Sequence, residues 1–265
     1  MKESISSSTG RRSAILQMLK QNSNISVNEL SARFGVSEVT IRKDLNLLKE
    51  RNLLVRTRGG AILHETRIDD NDTSIRFKKL ANYREKRAIG RVAANLIKEG
   101  DTIIIDSGTT ALQVACNLHK FRNLTIITNA LNVAQEVLSY KRFNVILLGG
   151  YIRSASESVV GALAEANLKM FYCDKLFMGV DSFSIDNGLS TPNVEEANIN
   201  QLMISRSQEV IAVFDSSKVN KRALAFITSL DNIHKIVTDD GLDKATRNHL
   251  KAMNVEVITV KADPM

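Results

Sequence analysis

Two short polar stretches contain the residue types that bind phosphate. The first runs from Asp106 to Thr110 (Asp-Ser-Gly-Thr-Thr), follows an apolar run and leads into a segment of helical character. Its three hydroxyls and several backbone N–H groups can meet at the start of a helix, which would form a phosphate cradle without the lysine of a Walker loop. The second, Asp215 to Lys218, also follows an apolar run and adds a point charge. The alternative for the first stretch is a structural turn at Gly108 with a threonine cap.

Other apolar runs end in small or polar residues in the same way. Ligand sites of α/β domains gather at the carboxyl ends of parallel strands, so these endings are expected along one edge of a sheet. Together they predict a small, polyhydroxylated, phosphorylated ligand, with Asn129 and Asp181 on its hydroxyls. The predicted ligand-binding residues are Asp106, Ser107, Gly108, Thr109, Thr110, Asn129, Gly150, Arg153, Asp181, Glu195 and Lys218.

Alternating strands and helices must position these residues. Seven short runs rich in apolar and β-branched residues predict strands at 102–105, 124–128, 144–148, 175–180, 210–214, 235–238 and 256–260. Segments of helical character separate them, which favours a mostly parallel sheet covered on both faces. The expected fold class is α/β for this region, with a smaller domain before it.

Positive charge is concentrated in the first quarter of the chain. The 265 residues have a formal net charge of +7, and positions 1–64 contain 11 Lys and Arg against 5 Asp and Glu. The remaining positions contain 25 against 24 and are nearly neutral. This distribution is typical of a small basic module that meets a polyanion, followed by a larger domain with another role.

The basic quarter has the pattern of a helix-turn-helix. Three helices are predicted between Arg11 and Leu48; the second begins at a Ser26–Glu29 capping box, and a turn at Gly35 precedes the third. Burial of one apolar face of the third helix leaves groove-reading side chains on its other faces, at Glu38, Thr40, Arg42, Lys43 and Asn46. Three-helix units that bind no DNA have similar patterns, with these residues as ordinary caps and surface.

A basic hairpin strengthens the DNA-binding interpretation. Residues 53–63 alternate and contain Gly59-Gly60, which predicts a β-hairpin, or wing, set against phosphates or the minor groove. The predicted DNA-binding residues are Ser37, Thr40, Arg42, Lys43, Asn46, Arg56 and Arg58. The predicted domains are 1–63 for DNA binding, 64–82 as a linker and 83–265 for ligand binding. A basic helix is expected over 83–98; its Arg84, Lys86, Arg87 and Arg91 could touch DNA, but a solvated face or pairing with the acidic linker is favoured.

Several classes of protein are disfavoured by composition. Cys116 and Cys173 lie far apart in apolar stretches without CxxC spacing, which indicates reduced core thiols. The four histidines, His64, His119, His234 and His249, have no paired ligand spacing, so we expect no metal and no cofactor. No apolar run approaches the roughly 18 residues that span a bilayer. The sequence therefore predicts a cytoplasmic protein without a membrane partner.

These motifs, taken in order, closely resemble the DeoR family of bacterial transcriptional regulators. They are Val36-Ser37-x-x-Thr40-Ile41-Arg42-Lys43-Asp44-Leu45, the wing Arg56-x-Arg58-Gly59-Gly60-Ala61, Asp106-Ser107-Gly108-Thr109-Thr110, Thr128-Asn129, Leu148-Gly149-Gly150 and Asp215-Ser216-Ser217-Lys218. The resemblance covers essentially the whole chain. It implies a winged helix-turn-helix, a sensor domain related to ribose-5-phosphate isomerase, and a homodimer or homotetramer that acts as a repressor on duplex operator DNA.

The resemblance also implies a phosphorylated sugar effector. The run from Asp174 to Asp181 is most similar to members that govern amino-sugar or sugar-alcohol pathways, although Ser182-Phe183 follow Asp181 where the family often has Gly. The alternative hypothesis is a sugar-phosphate isomerase, with Glu195, Glu196 and Asp181 as acid and base. It is disfavoured because an isomerase has no use for a basic DNA module. An RNA-binding protein is disfavoured because the basic region lacks interleaved aromatic residues.

Overall fold

The structure of the protein is a computed structural model that describes residues 8–21, 24–50, 53–57, 59–63 and 75–262. The chain divides into two compact units between Tyr83 and Arg84. The elements of the N-terminal unit are α1 (Ser8–Gln21), β1 (Asn24–Ser26), α2 (Val27–Phe34), α3 (Glu38–Glu50), β2 (Leu54–Thr57), β3 (Gly60–Leu63) and α4 (Ile75–Leu80). The three predicted helices and the hairpin are confirmed.

Local signals set the boundaries of the central helices. The Ser26 hydroxyl accepts from the N–H of Glu29, whose carboxylate accepts from the N–H of Ser26, so the capping box is complete. Gly35 ends α2 in the left-handed conformation with φ +63°. The Ser37 hydroxyl accepts from the N–H of Thr40 at 3.3 Å and begins α3. The apolar faces of α1, α2 and α3 then share one core, with Ile15, Leu30, Ile41, Leu45 and Leu48 fully buried.

The wing contains a third strand that was not predicted from the sequence. β2 and β3 pair antiparallel, with Thr57 opposite Gly60, and β1 pairs with the other side of β3. β1 is three residues long. Gly60 allows this pairing, because a Cβ there would lie 2.1 Å from the carbonyl oxygen of Ile25.

Gly60→Ala is therefore expected to separate β1 from β3 and to destabilise the N-terminal unit by about 1–3 kcal/mol, the usual cost of overpacking. Hydrogen exchange of the amides of residues 24–26 would measure the loss. Thr57→Ala, at the exposed register partner of Gly60, is the control and should leave protection unchanged. Equal protection in both variants would show that the backbone accommodates the added methyl group.

The end of the predicted linker is structured. α4 follows at 75–80, its Leu80 is buried in the N-terminal core, and the Leu80 carbonyl accepts a hydrogen bond from the Ser13 hydroxyl of α1. Residues 75–82 were thus wrongly expected to be linker, because six residues give too short a pattern to indicate a helix. Positions 64–74 lie outside the described residues. The predicted domain limits otherwise stay a prediction.

The C-terminal unit is built on a parallel sheet. Its helices are α5 (Tyr83–Ala93), α6 (Thr109–Ala115), α7 (Leu131–Leu138), α8 (Ala162–Leu168), α9 (Val194–Ser205) and α10 (Lys244–Ala252). Its strands are β4 (Thr102–Ile105), β5 (Thr125–Thr128), β6 (Asn144–Leu147), β7 (Tyr151–Arg153), β8 (Ser158–Val160), β9 (Cys173–Gly179), β10 (Ser182–Ser184), β11 (Gly188–Thr191), β12 (Ser207–Val213), β13 (Ala225–Thr228), β14 (Lys235–Asp239) and β15 (Glu256–Val260).

All seven predicted strands form one sheet in the order β15-β14-β12-β9-β4-β5-β6, with every neighbouring pair parallel. Alternate residues of one strand enter different cores: Ile104 packs into the cluster on one face, and Ile103 and Ile105 pack into the cluster on the other. Both faces are covered, as continuous apolar strands require. The predicted α/β fold is therefore confirmed. The β7–β8 hairpin and the small antiparallel sheet β10-β11-β13 were not predicted, since most of these strands are only three residues long.

Lys86 was expected to be exposed to solvent on the helix after position 83, and this prediction is wrong. Its side chain is 3% exposed, and its Nζ lies 4.0 Å from Oδ2 of Asp215, which is also buried. The helix packs closely on α6, where a Cβ at Gly90 would meet the backbone of Gln113. Arg87 and Arg91 are exposed, as expected.

Both cysteines are free thiols in apolar surroundings. Burial raises the pKa of Cys116 to about 11 and that of Cys173 to about 12, so both stay protonated near neutral pH. Within the described ranges, no helix is long and apolar enough to cross a membrane. The described residues also contain no group of three or more His, Cys, Asp or Glu placed to hold a metal ion.

Candidate DNA-binding surface and ligand-binding site

The predicted DNA-binding residues lie on the exposed side of α3 and on the wing. Ser37, Arg42, Lys43 and Asn46 are exposed, and Thr40 is half-buried beside the Ser37 hydroxyl at 3.0 Å. Arg42 Nη2 donates to Glu38 Oε2 at 3.0 Å, one turn earlier on the helix. The N-terminal half of the helix therefore presents a cap, an ion pair and a lysine to solvent. Arg58 lies outside the described residues.

The wing is attached to the recognition helix by Arg56. Its Nη1 donates to Oδ1 of Asn46 at 2.8 Å and to the carbonyl of Arg42 at 3.4 Å. Asn46 thus uses its acceptor inside the domain, and a bidentate contact of this side chain with adenine would need that bond to open. The pair fixes the wing against α3, a role that the sequence alone did not indicate.

A buried ion pair anchors α3 to α1. Arg11 Nε lies 2.6 Å from Oδ2 of Asp44, and the two side chains are only 6% and 8% exposed. Arg12 Nε approaches the other Asp44 oxygen at 3.7 Å. Asp44 occupies the inner face of α3 beside Leu45, so it orients the recognition helix from behind. The sequence analysis missed this pair because 33 positions separate its members.

The predicted ligand site lies at a switch point of the large sheet. After β4 the chain continues to β5 and β6 on one side, and after β9 it continues to β12 and β14 on the other. Crevices at the carboxyl ends of two such strands are the usual ligand sites of open α/β sheets. The ends are in contact: Gly179 N donates to Asp106 Oδ2 at 3.1 Å, and a Cβ at Gly179 would lie 2.9 Å from the carbonyl oxygen of Ser107.

Asp106 is the buried acid at this switch point. Burial raises the pKa of Asp106 well above its usual range, and the nearby carboxylates of Glu196 and Asp181 raise it further. The N–H groups of Ser107 and Gly179, which donate to its two oxygens, oppose that shift. The native state consequently holds a proton at pH values where a solvated aspartate has lost it.

This shift predicts a pH dependence of stability. The native state binds more protons than the unfolded state between the ordinary aspartate pKa, about 3.9, and the raised pKa. The free energy of unfolding should fall as pH rises through that interval, by up to about 1.4 kcal/mol per pH unit. Asp106→Asn removes the titrating group, so its stability relative to the parent protein should increase with pH in denaturant titrations. Asp186→Asn, at an exposed aspartate, is the control; equal pH profiles for all three proteins would contradict the assignment.

An ionic network continues from the switch point to α9. Arg153 Nη1 lies 3.1 Å from Glu196 Oε1, and the Thr191 hydroxyl donates to Glu196 Oε2 at 3.2 Å and lies 3.3 Å from Asp181 Oδ2. The structure therefore brings predicted residues from β7 and the end of β9 together. Glu195 is not part of this network: it is exposed in the first turn of α9, and the buried neighbour Glu196 takes the inner position. The carboxylate that contacts Arg153 is therefore that of Glu196, while a ligand contact of Glu195 stays a prediction.

Asn129 and Gly150 line the same edge beyond β4. Asn129 ends β5, is fully buried, and donates from Nδ2 to the carbonyl of Val159 at 3.2 Å. Its Oδ1 has no hydrogen-bond partner within the described part of the chain, so an acceptor is available there. Gly150 has φ +151°, and a Cβ would lie 2.9 Å from the carbonyl oxygen of Val160, so only glycine fits.

The residues predicted to bind phosphate lie in the loops that follow β4 and β12, on either side of β9. The loop 107–110 follows β4, with Thr109 and Thr110 buried at the start of α6. Lys218 is half-exposed in a 3-10 turn, Ser216–Lys218, after β12. β4 and β12 are both neighbours of β9, which places the two strand ends about 10 Å apart.

Phe183, one of the two residues that depart from the family pattern, does not enter the predicted ligand site. Phe183, next to Ser182, is fully buried and stacks on Phe214 with ring centroids 5.3 Å apart. Its ring therefore belongs to the hydrophobic core.

Helix-turn-helix and α/β sensor folds in one chain define a ligand-responsive, DNA-binding transcriptional regulator. Residues 11–67 match the DeoR-like helix-turn-helix domain, and residues 81–240 match the DeoR C terminal sensor domain. The chain is 36% identical over 256 residues to the putative aga operon transcriptional repressor of Escherichia coli O157:H7, covering 97% of this chain and 95% of that protein. It is 34% identical to the glycerol-3-phosphate regulon repressor of Escherichia coli strain K12, covering 87% and 90%.

The chain belongs to the DeoR family of transcriptional regulators. The relatives named above are regulators rather than enzymes, which supports regulation over the isomerase alternative. Among solved structures, a ribose 5-phosphate isomerase from Methanocaldococcus jannaschii has a TM-score of 0.40 and 17% identity, covering 54% of this chain and 56% of that one. At that level of similarity we infer nothing about activity.

Proposed function

We propose that this regulator represses a carbohydrate-utilisation operon and that a phosphorylated sugar or sugar derivative controls its operator binding. The match of both domains to one regulator family carries the proposal. The names of the two relatives, one for an aga operon and one for the glycerol-3-phosphate regulon, favour amino-sugar and sugar-alcohol phosphates as candidates. The protein would act in the cytoplasm, where the operator is.

The proposed effector site is the carboxyl edge of the parallel sheet. Ser107, Thr109, Thr110 and Lys218 would hold the phosphate, while Asn129 and Asp181 would contact hydroxyls. The unpartnered Oδ1 of buried Asn129 supports this assignment, because a ligand hydroxyl could donate to it. Arg153, held by Glu196, would supply a second positive charge at the same edge.

Operator binding is proposed to involve a homodimer or homotetramer. Two recognition helices about 34 Å apart would meet repeated half-sites one helical turn, or a multiple of it, apart. A ligand that favours another domain arrangement would change that spacing. A hundredfold loss of operator affinity requires a coupling free energy of only about 2.7 kcal/mol, which several charge-assisted hydrogen bonds to phosphate can supply.

The test is operator binding with and without ligand. The protein would be titrated onto an operator duplex selected from a pool of random DNA, in the presence of hexose, hexosamine or alditol phosphates. We expect one class of phosphate to lower operator affinity by about tenfold or more, and its unphosphorylated sugar to have no effect. Turnover of a sugar phosphate above about 1 s⁻¹ would instead favour the isomerase.

Lys43→Ala tests the DNA-binding surface directly. Lys43 is exposed on α3, where its ammonium group would neutralise one phosphate. Its loss should weaken binding to all duplexes alike and reduce the slope of log K against log salt by about one unit. Filter binding at several salt concentrations measures that slope. Lys244→Ala, at an exposed lysine of α10, is the charge-matched control; an unchanged slope in both variants would remove Lys43 from the interface.

A further inference from the structure

The N-terminal end of the recognition helix carries an exposed ion pair. Glu38 is the first residue of α3 and Arg42 lies one turn later on the same face. Oε2 of Glu38 and Nη2 of Arg42 are 3.0 Å apart, and the side chains are 45% and 59% exposed. Exposed pairs of this kind contribute little to stability. Ser37 already caps the helix, so the pair is free to serve another role.

Its position is where base contacts are made. In helix-turn-helix proteins the N-terminal residues of the recognition helix contact base edges in the major groove. A lone carboxylate there would be repelled by the phosphates. Arg42 compensates that charge, so Glu38 can enter the groove as half of a neutral pair, while Lys43 supplies the net attraction.

The hydrogen-bonding capacity of Glu38 restricts which base it can meet. An ionised carboxylate only accepts hydrogen bonds, and one of its oxygens already accepts from Arg42. In the major groove, guanine presents only acceptors, and thymine presents an acceptor and a methyl group. Adenine presents an amino donor, but its N7 acceptor lies beside that donor. Two acceptors, N7 and the carboxylate, would then face each other. Cytosine presents the N4 amino donor alone and is the base that fits.

We propose that Glu38 is a base-reading residue that selects cytosine through its N4 amino group, while Arg42 donates to guanine O6 and N7 in the same or the neighbouring base pair. The ion pair holds both side chains in the orientation in which they meet the groove. Each half-site of the operator should therefore contain a C·G pair that the recognition helix requires. This inference goes beyond the proposed repressor function, which names no operator base.

Selection from a pool of random duplexes, with the full-length protein, tests the proposal. The parent protein should enrich a half-site with a fixed C·G pair, and changing that pair to T·A should weaken binding by about tenfold or more. Glu38→Gln should reduce this discrimination to less than about threefold, because an amide can accept from cytosine or donate to thymine. Arg42→Ala should lose the guanine preference, with little change in the salt slope.

Glu50→Gln is the matched control, since it removes the same charge from an exposed position at the other end of α3. It should keep the full preference for C·G. The proposal is overturned if Glu38→Gln retains the preference at every position, or if Glu38→Gln and Glu50→Gln strengthen binding to all duplexes equally. A parent protein that enriches no sequence would instead contradict operator binding itself. Melting curves by circular dichroism would establish that the variants are folded.

Discussion

Operator binding is expected to be lost in Asp44→Ala, although Asp44 points away from the DNA-binding face. The substitution leaves the Arg11 guanidinium buried without its 2.6 Å carboxylate partner. Removal of one member of a buried ion pair costs about 3–5 kcal/mol, because the remaining charge stays out of water. The loss falls on the packing of α3 against α1. Amide hydrogen exchange in these helices should accelerate roughly 10²–10⁴-fold, since it reports their local opening.

Two variants separate the charge effect from simple truncation. Arg11→Met with Asp44→Leu replaces the pair by apolar side chains of similar volume, an exchange that is often neutral or stabilising. It should recover much of the exchange protection and of the operator affinity. Glu50→Ala, at an exposed end of the same helix, should change stability by no more than about 0.5 kcal/mol. Equal protection in Asp44→Ala and the parent protein would show that the ion pair does not hold the helix.

Features set by neighbouring residues could be predicted from sequence. The capping box at Ser26, the left-handed turn at Gly35 and the Gly59-Gly60 hairpin are each fixed by a few adjacent positions. The seven strands of the large sheet were identified because each contains a short run of apolar and β-branched residues. The alternation of strands and helices also predicted a mostly parallel sheet, which places polar strand ends along one edge.

Features that depend on distant partners could not be predicted. Lys86 was expected to be solvated, since its partner Asp215 lies far away in sequence, and the Arg11–Asp44 pair joins residues 33 positions apart. β1 is too short to signal a strand and exists because β3 offers an unpaired edge.

The choice between Glu195 and Glu196 was equally undetermined by sequence. Apolar residues occur on all sides of α9, for example Val194, Ala197 and Leu202, so periodicity does not mark one inner face. Only the packing of the helix shows that Glu196 meets Arg153.

The largest effect on ligand response is expected from the double variant Thr109→Val with Thr110→Val. Both side chains are buried at the start of α6, beside the switch point between β4 and β9. Valine keeps the shape of threonine and removes the hydroxyl, so the fold should be retained. A hydrogen bond to a charged group contributes about 1.5–3 kcal/mol, and two such bonds to a phosphate correspond to a loss of affinity of at least about a hundredfold.

Calorimetric titration with the sugar phosphate that releases the parent protein from its operator would measure this loss. Operator affinity without ligand should stay within about twofold of the parent value, because the DNA-binding surface is unchanged. Thr125→Val, at the opposite, amino-terminal end of β5, is the matched control and should bind the ligand normally. Should the double variant bind the sugar phosphate as tightly as the parent protein, the phosphate would have to lie outside the 107–110 loop. The regulator assignment would still stand, since it rests on the two matched domains.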